Sequence, residues 1–211
     1  MTIIVHHLEN SRSQRILWML EELGLPYEIK RYERDKKTML APPSLKRVHP
    51  LGKSPVIEDS DDGGRVVAET GAIVEYLVEK TGGKLGPGAD RDAVLRYRHF
   101  LHYAEGSVMP PLLLMLVASK IPLLGGAVLK RVQPMAEVHL DYIESELAGR
   151  PWFAGAAMTG ADIMMSFPLE AARSRAGLGA SRPHTRAWLE KIHARPAYRA
   201  ALAKGGPYVY A

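Results

Sequence analysis

The arrangement of apolar residues changes once along the chain, across the glycine-rich stretch 82–90, and this change limits the fold more than any other feature. Before it, two periods alternate. Residues 2–7 are a short β-branched run, which reads as a buried strand. After Asn10-Ser11, the residues Ile16, Leu17, Leu20 and Leu23 recur at helical spacing as far as Gly24 and Pro26. That is an amphipathic helix with a polar start and a glycine stop. Residues 27–32 read as a second strand. A strand, a helix and a strand with short joins favour a parallel pair and a right-handed crossover. Residues 55–59 and 65–68 are short strands flanking Ser60-Asp61-Asp62-Gly63-Gly64, which predicts a hairpin. A further helix opens at Glu69-Thr70 and stops at Gly82-Gly83. From residue 90 onward only helices are predicted, over 90–119, 122–148, 159–176, 184–194 and 196–203. The expected organisation is an α/β domain over residues 1–82, a linker over 83–89 and an all-helical domain over 90–211. The first domain has the order βαβ then ββα around a mixed four-stranded sheet.

Length agrees with this division, since 211 residues at about 150 per domain is roughly 1.4 domains. Cysteine is absent, which excludes disulfides, thiolate metal sites and a cysteine nucleophile. The formal charge of +5 does not point to nucleic acid. Residues 1–85 hold 13 basic and 13 acidic side chains, so the excess is spread over the second part. The basic pairs Lys36-Lys37 and Lys130-Arg131 are too short to follow a phosphate backbone. Residues 108–129 are apolar, but Lys120, Pro110, Pro111, Pro122 and Gly125-Gly126 interrupt them, so a buried helix, a bend and a second helix are expected rather than a membrane span. Residues 1–10 lack a basic targeting region. A cytoplasmic protein without nucleic-acid or membrane partners is the expectation.

Two constellations in the second part invite a chemical reading. Thr159-Gly160-Ala161-Asp162 is a capping box, a folding element in which Asp162 reaches back to a backbone N–H. His99, His102 and Glu105 share one helix face, but without ligands from a second helix they make a poor metal site, and no metal is expected. They are expected to lie with Tyr103 and Met109 near a cleft. Of His6 and His7, only one can face that cleft, because strand side chains alternate.

The order of elements, and the residues within them, resemble the cytosolic glutathione transferases over essentially the whole chain. The pieces are Ser11-Arg12-Ser13-Gln14-Arg15-Ile16-Leu17, Leu23-Gly24-Leu25-Pro26-Tyr27-Glu28, His49-Pro50-Leu51-Gly52-Lys53-Ser54-Pro55-Val56-Ile57, Glu69-Thr70, and Trp188-Leu189 through Arg195-Pro196. Ser54 stands where the family often has valine, and His49 where asparagine is common. The resemblance implies a thioredoxin-like first domain, glutathione as co-substrate with no permanent cofactor, a small hydrophobic electrophile as second substrate, and a homodimer. It implies that Pro55 is cis, so that the Ser54 backbone pairs with the cysteinyl part of glutathione. Lys53 is expected to reach a carboxylate, with Glu69 and Thr70 holding the γ-glutamyl group at a helix start. For the glycyl end Lys36 and Lys37 are both open. The family sorts by the residue that activates the thiol. Without cysteine, and with the first tyrosine at Tyr27, the resemblance implies a serine type like the theta-like and related bacterial and fungal members. Ser11, four residues before Arg15, is the implied catalytic residue, with Ser13 and Asn10 as alternatives. His7, Leu8, His102, Tyr103 and Met109 are the implied second-substrate pocket. A non-catalytic ligand-binding module, or a glutathione-dependent peroxidase or isomerase, is the competing expectation.

Overall fold

A computed structural model describes residues 2–210. The strands are β1 (Ile3–Leu8), β2 (Tyr27–Tyr32), β3 (Val56–Asp59) and β4 (Arg65–Ala68). They form one sheet in the order β2-β1-β3-β4. The first pair is parallel and the other two are antiparallel. Helix α1 (Ser13–Leu23) makes the crossover from β1 to β2, and α2 (Thr70–Lys80) follows β4. Gly24 adopts the left-handed backbone (φ 67°) that ends α1, a conformation glycine reaches without steric cost. Residues Ile16, Leu17, Trp18, Met19 and Leu20 are all fully buried, so α1 is a core helix.

The helical part contains α3 (Arg91–Tyr103), α4 (Met109–Ala118), α5 (Gly125–Ala148), α6 (Gly160–Arg175), α7 (Pro183–His193) and α8 (Pro196–Gly205). The single helix expected over 90–119 is interrupted by a five-residue π segment, Ala104–Val108, which leads into Pro110-Pro111 in the first turn of α4. Those prolines sit where N–H groups have no intrahelical partner, so the run continues. The whole run Arg91–Ala118 is long and apolar enough to cross a membrane by length and composition. Tyr97, Phe100, Leu101, Val108, Leu112 and Met115 on it are buried in the protein, as a core helix requires.

The compact units depart from the expected 1–82 and 90–211 at the C-terminus. One unit takes the chain through Gly86 together with His193–Val209, and the other takes Pro87–Ile192. Helix α8 therefore belongs with the sheet, because it packs on α1. Trp18 and Tyr198 meet edge to face at 5.4 Å, and Arg195 donates two hydrogen bonds, at 2.5 and 2.8 Å, to the Glu22 carboxylate. Lys204 closes the far end of the same contact on Glu21 at 2.5 Å.

Candidate functional site

Three chain segments meet at one end of the sheet, and the strand register requires it. β1 runs toward that end and stops at Leu8, three residues before Ser11. β3 starts there, with Val56 opposite His6 on one side and Ala68 of β4 on the other. Ser54-Pro55 therefore lies between the loop after β1 and the start of α2 at Glu69-Thr70. With strands about 4.8 Å apart, the line from β1 across β3 to β4 is about 10 Å.

Within this line each predicted residue has a defined local setting. The Ser54–Pro55 peptide is cis. The Ser54 hydroxyl donates to the His6 carbonyl at 2.8 Å and accepts the Leu8 N–H at 3.2 Å, which ties the proline turn to the end of β1. Glu69 is exposed and holds φ at 71°, a backbone region that a glutamate rarely adopts. No side chain caps α2, so the first-turn N–H groups from Thr70 onward have no intrahelical partner. Thr70 itself is buried, and Lys53 is exposed.

The loop after β1 carries the candidate thiol-activating residues. The Ser11 hydroxyl accepts the Ser13 N–H at 3.2 Å and lies 2.8 Å from the Ser13 hydroxyl. Ser13 is fully buried, and its hydroxyl lies 2.8 Å from Nδ1 of His7. The opposite side of that ring bonds the Gly205 backbone, and this contact raises the histidine pKa, so the ring donates there to a carbonyl. Nδ1 is then the acceptor, and the Ser13 O–H donates to it over the shorter of its two acceptor contacts, the other being the Leu8 carbonyl at 3.3 Å. Burial, followed by the Arg31 charge, pushes His7 down to about 4, so it is neutral near pH 7. Asn10 has φ at 47°, and its Oδ1 accepts the Val209 N–H at 2.9 Å. Its Nδ2 makes no hydrogen bond among the described residues.

These placements refine one expectation and correct another. Both serines are buried, Ser11 at 6% exposure and Ser13 fully, and Ser13 lies beneath Ser11 in the hydrogen-bond chain to His7. His7 turns inward to Ser13 and α8, not to a second-substrate pocket. Leu8 and Met109 are also buried, at 4% and 3% exposure. His102 is exposed on α3, while the Tyr103 and His139 side chains are paired at 2.7 Å and burial pushes Tyr103 up to about 12. His99 stacks on Tyr103 with ring centroids 5.1 Å apart. Among the described residues no group of histidine, aspartate and glutamate is arranged to hold a metal. Asp162 accepts N–H groups from Thr159 and Phe153 at 2.9 and 3.0 Å, a capping box joined to the preceding loop.

Sequence reasoning did not find Arg34. Its side chain donates to the carbonyls of Glu9, Asn10 and Met39, at 3.3, 3.3 and 2.9 Å, and its own N–H donates to the Glu9 carboxylate at 2.7 Å. It clamps the loop that carries Ser11 from just beyond β2. Nothing in the local sequence separates it from the other basic residues nearby.

The family model of the glutathione S-transferase N-terminal domain matches residues 11–80, and that of the C-terminal domain matches residues 113–196. Glutathione S-transferase 3 of Schizosaccharomyces pombe is 37% identical, over 96% of this chain and 87% of its own. The crystal structure of a glutathione S-transferase from Actinobacillus pleuropneumoniae superposes with a TM-score of 0.86 at 35% identity, covering 98% of this chain and 94% of that one. A glutathione transferase family member from Pseudomonas fluorescens with two glutathione bound gives a TM-score of 0.79 at 26% identity, over 95% and 92% of the two chains.

Proposed function

Because the chain belongs to the glutathione S-transferase family, we propose that it binds glutathione across the carboxyl end of β1 and transfers the activated thiol to an apolar electrophile. The observation that carries this reading is the alignment of the Ser11 loop, the Ser54 backbone and the Thr70 helix start along a line of about 10 Å, the reach of a tripeptide. The backbone N–H and C=O of Ser54 make no hydrogen bond among the described residues, so both are free for an extended peptide. The γ-glutamyl carboxylate goes to the first-turn N–H groups of α2, where the helix dipole favours an anion, and Glu69 takes the ligand's ammonium. That role matches the strained backbone that holds Glu69 outward. Lys53 is free to meet a second carboxylate.

Two donors stand beside the place of the sulfur. Ser11 is the serine-type reading. Its resting proton points at Ser13, whose own proton is committed to His7, so Ser11 must rotate its O–H to serve a thiolate. The exchange replaces a neutral hydrogen bond of about 1 kcal/mol with one to a charged group, about 1.5–3 kcal/mol, and is downhill. Asn10 is the second reading, favoured by its free Nδ2. Either donor lowers the thiol pKa from about 8.5, while most of the acceleration comes from holding sulfur beside the electrophile. Ser11→Ala and Asn10→Ala, assayed separately with glutathione and a chlorodinitrobenzene, tell them apart. The Ser11 reading expects a loss of about 10–100-fold in kcat/KM near pH 7 that shrinks toward pH 9, with glutathione affinity little changed. A full-rate Ser11→Ala with a slow Asn10→Ala moves the role to Asn10. Wild-type protein that binds glutathione but forms no conjugate with a panel of electrophiles would make the chain a binding module.

A further inference from the structure

The loop that carries Asn10 and Ser11 is held by a part of the chain about 200 residues away. Helix α8 ends at Gly205, whose carbonyl accepts the His7 ring N–H, and His7 in turn accepts the Ser13 hydroxyl. A Cβ at Gly205 would lie 2.8 Å from both Oε1 of Gln14 and Cδ1 of Leu17, so only glycine lets α8 approach this closely. Gly206 holds φ at 85°, a backbone region that side chains rarely adopt, so this turn too favours glycine. The chain then passes beside the loop, and the Val209 N–H donates to Asn10 Oδ1 at 2.9 Å.

We propose that residues 205–209 are a positioning element for the thiol-activating loop: Val209 orients the Asn10 carboxamide, and Gly205 acts on Ser11 through His7 and Ser13. An unbonded carboxamide is free to exchange its oxygen and nitrogen by rotation. With Oδ1 occupied by a backbone donor, Nδ2 is the atom left to face a ligand. The backbone of Asn10 is meanwhile fixed from the other side by Arg34 on its carbonyl. The loop thus carries a donor of defined polarity before glutathione arrives, which is the preorganisation that electrostatic stabilisation of an anion requires. The proposal rests on the glutathione reading above. It adds that the last turn of the chain, not only the β1 loop, sets the state of the sulfur.

Val209→Pro removes the donor, and its side chain is 71% exposed, so packing is not at stake. Val209→Ala keeps the N–H and is the control. With glutathione and a chlorodinitrobenzene, Val209→Pro is expected to lower kcat by about 5–10-fold, the loss of one hydrogen bond. It should also raise the pH midpoint of kcat/KM and leave the KM for glutathione within about twofold. Val209→Ala should match wild type in all three, and equal behaviour of the two variants overturns the proposal. Should Val209→Pro lose its fold, amide hydrogen exchange decides. The Val209 amide is expected to exchange slowly in wild type and quickly in Asn10→Ala, and equal rates overturn the proposal. A wild-type protein that shows neither conjugation nor thiolate absorbance with glutathione overturns the function itself, and this inference falls with it.

Discussion

At the scale of single residues, the loop after β1 shows how a buried neutral base fixes the direction of a hydrogen-bond chain. His7 donates to Gly205 and accepts from Ser13, and the second of these bonds requires the uncharged ring. A pH dependence follows. Native His7 takes up a proton only near pH 4, whereas the unfolded chain does so near its usual value of 6.5. Between these values the unfolded state binds more protons, so stability falls as pH drops through the window, by up to about 3 kcal/mol. Urea midpoints measured from pH 7 down to pH 4 should therefore fall more steeply in wild type than in His7→Gln. Parallel curves would show that His7 is not the group responsible. Ser11 and Ser13 separate on the same physics. Ser11 keeps 6% exposure while Ser13 beneath it has none, and Ser13→Ala should act mainly through Ser11.

At the scale of elements, two contacts decide how helices are placed. The α6 start depends on Asp162, which is fully buried and accepts backbone N–H groups from both Thr159 and Phe153. Burial pushes its carboxyl up to about 6, so the hydrogen bonds are what keep it useful as a cap. Asp162→Ala strands two buried backbone N–H donors and the Thr159 hydroxyl, and is expected to cost about 2–4 kcal/mol, seen as a lower urea midpoint. Asp162→Asn retains an acceptor and should cost less. Equal losses would mean that charge, not the acceptor, matters. The other contact is the α1–α8 clasp. Arg195 on Glu22 and Tyr198 on Trp18 bring the last helix to the first unit, and so bring Gly205 to His7.

For the molecule as a whole, the proposed ligand should act as a brace. Glutathione at about 100 times its dissociation constant adds about 2.7 kcal/mol to a folded state that alone binds it, so Tm should rise by several degrees. Glu69→Gln combined with Thr70→Val should remove most of that rise, and a shift that survives would place the γ-glutamyl group elsewhere. A homodimer is our expectation for the assembly. Most of the apolar 108–116 segment is core, and the side chains left to a partner are Leu113 and Leu114, about half exposed, with Val117 one turn on. Sedimentation at micromolar concentration should report about twice the 23.3 kDa chain, and a species of single-chain mass would refute it.

Sequence periodicity by itself determined the order of elements, because a two-residue or 3.6-residue repeat is a local property that one face of each element must satisfy. The hairpin at Asp61-Asp62-Gly63, the stop at Gly24 and the capping box at Thr159 and Asp162 were legible for the same reason: each is chemistry within a few residues. The motif around Pro55 and Glu69 pointed to the segments of the proposed site, and the register of β1, β3 and β4 puts those segments side by side. What only the tertiary structure decided are the contacts between residues far apart in sequence. Nothing in the helical pattern of 196–203 says that this helix leaves its neighbours to pack on α1. Nor does any local signal mark Arg34 as the clamp on Asn10, or His7 as an inward partner of Ser13. Strand alternation puts His6 and His7 on opposite faces, and packing on each face buries both, His6 against Tyr32 and Glu58 and His7 against Ser13. The slight exposure of Ser11 and the full burial of Ser13 have the same origin, since packing and not spacing sets them.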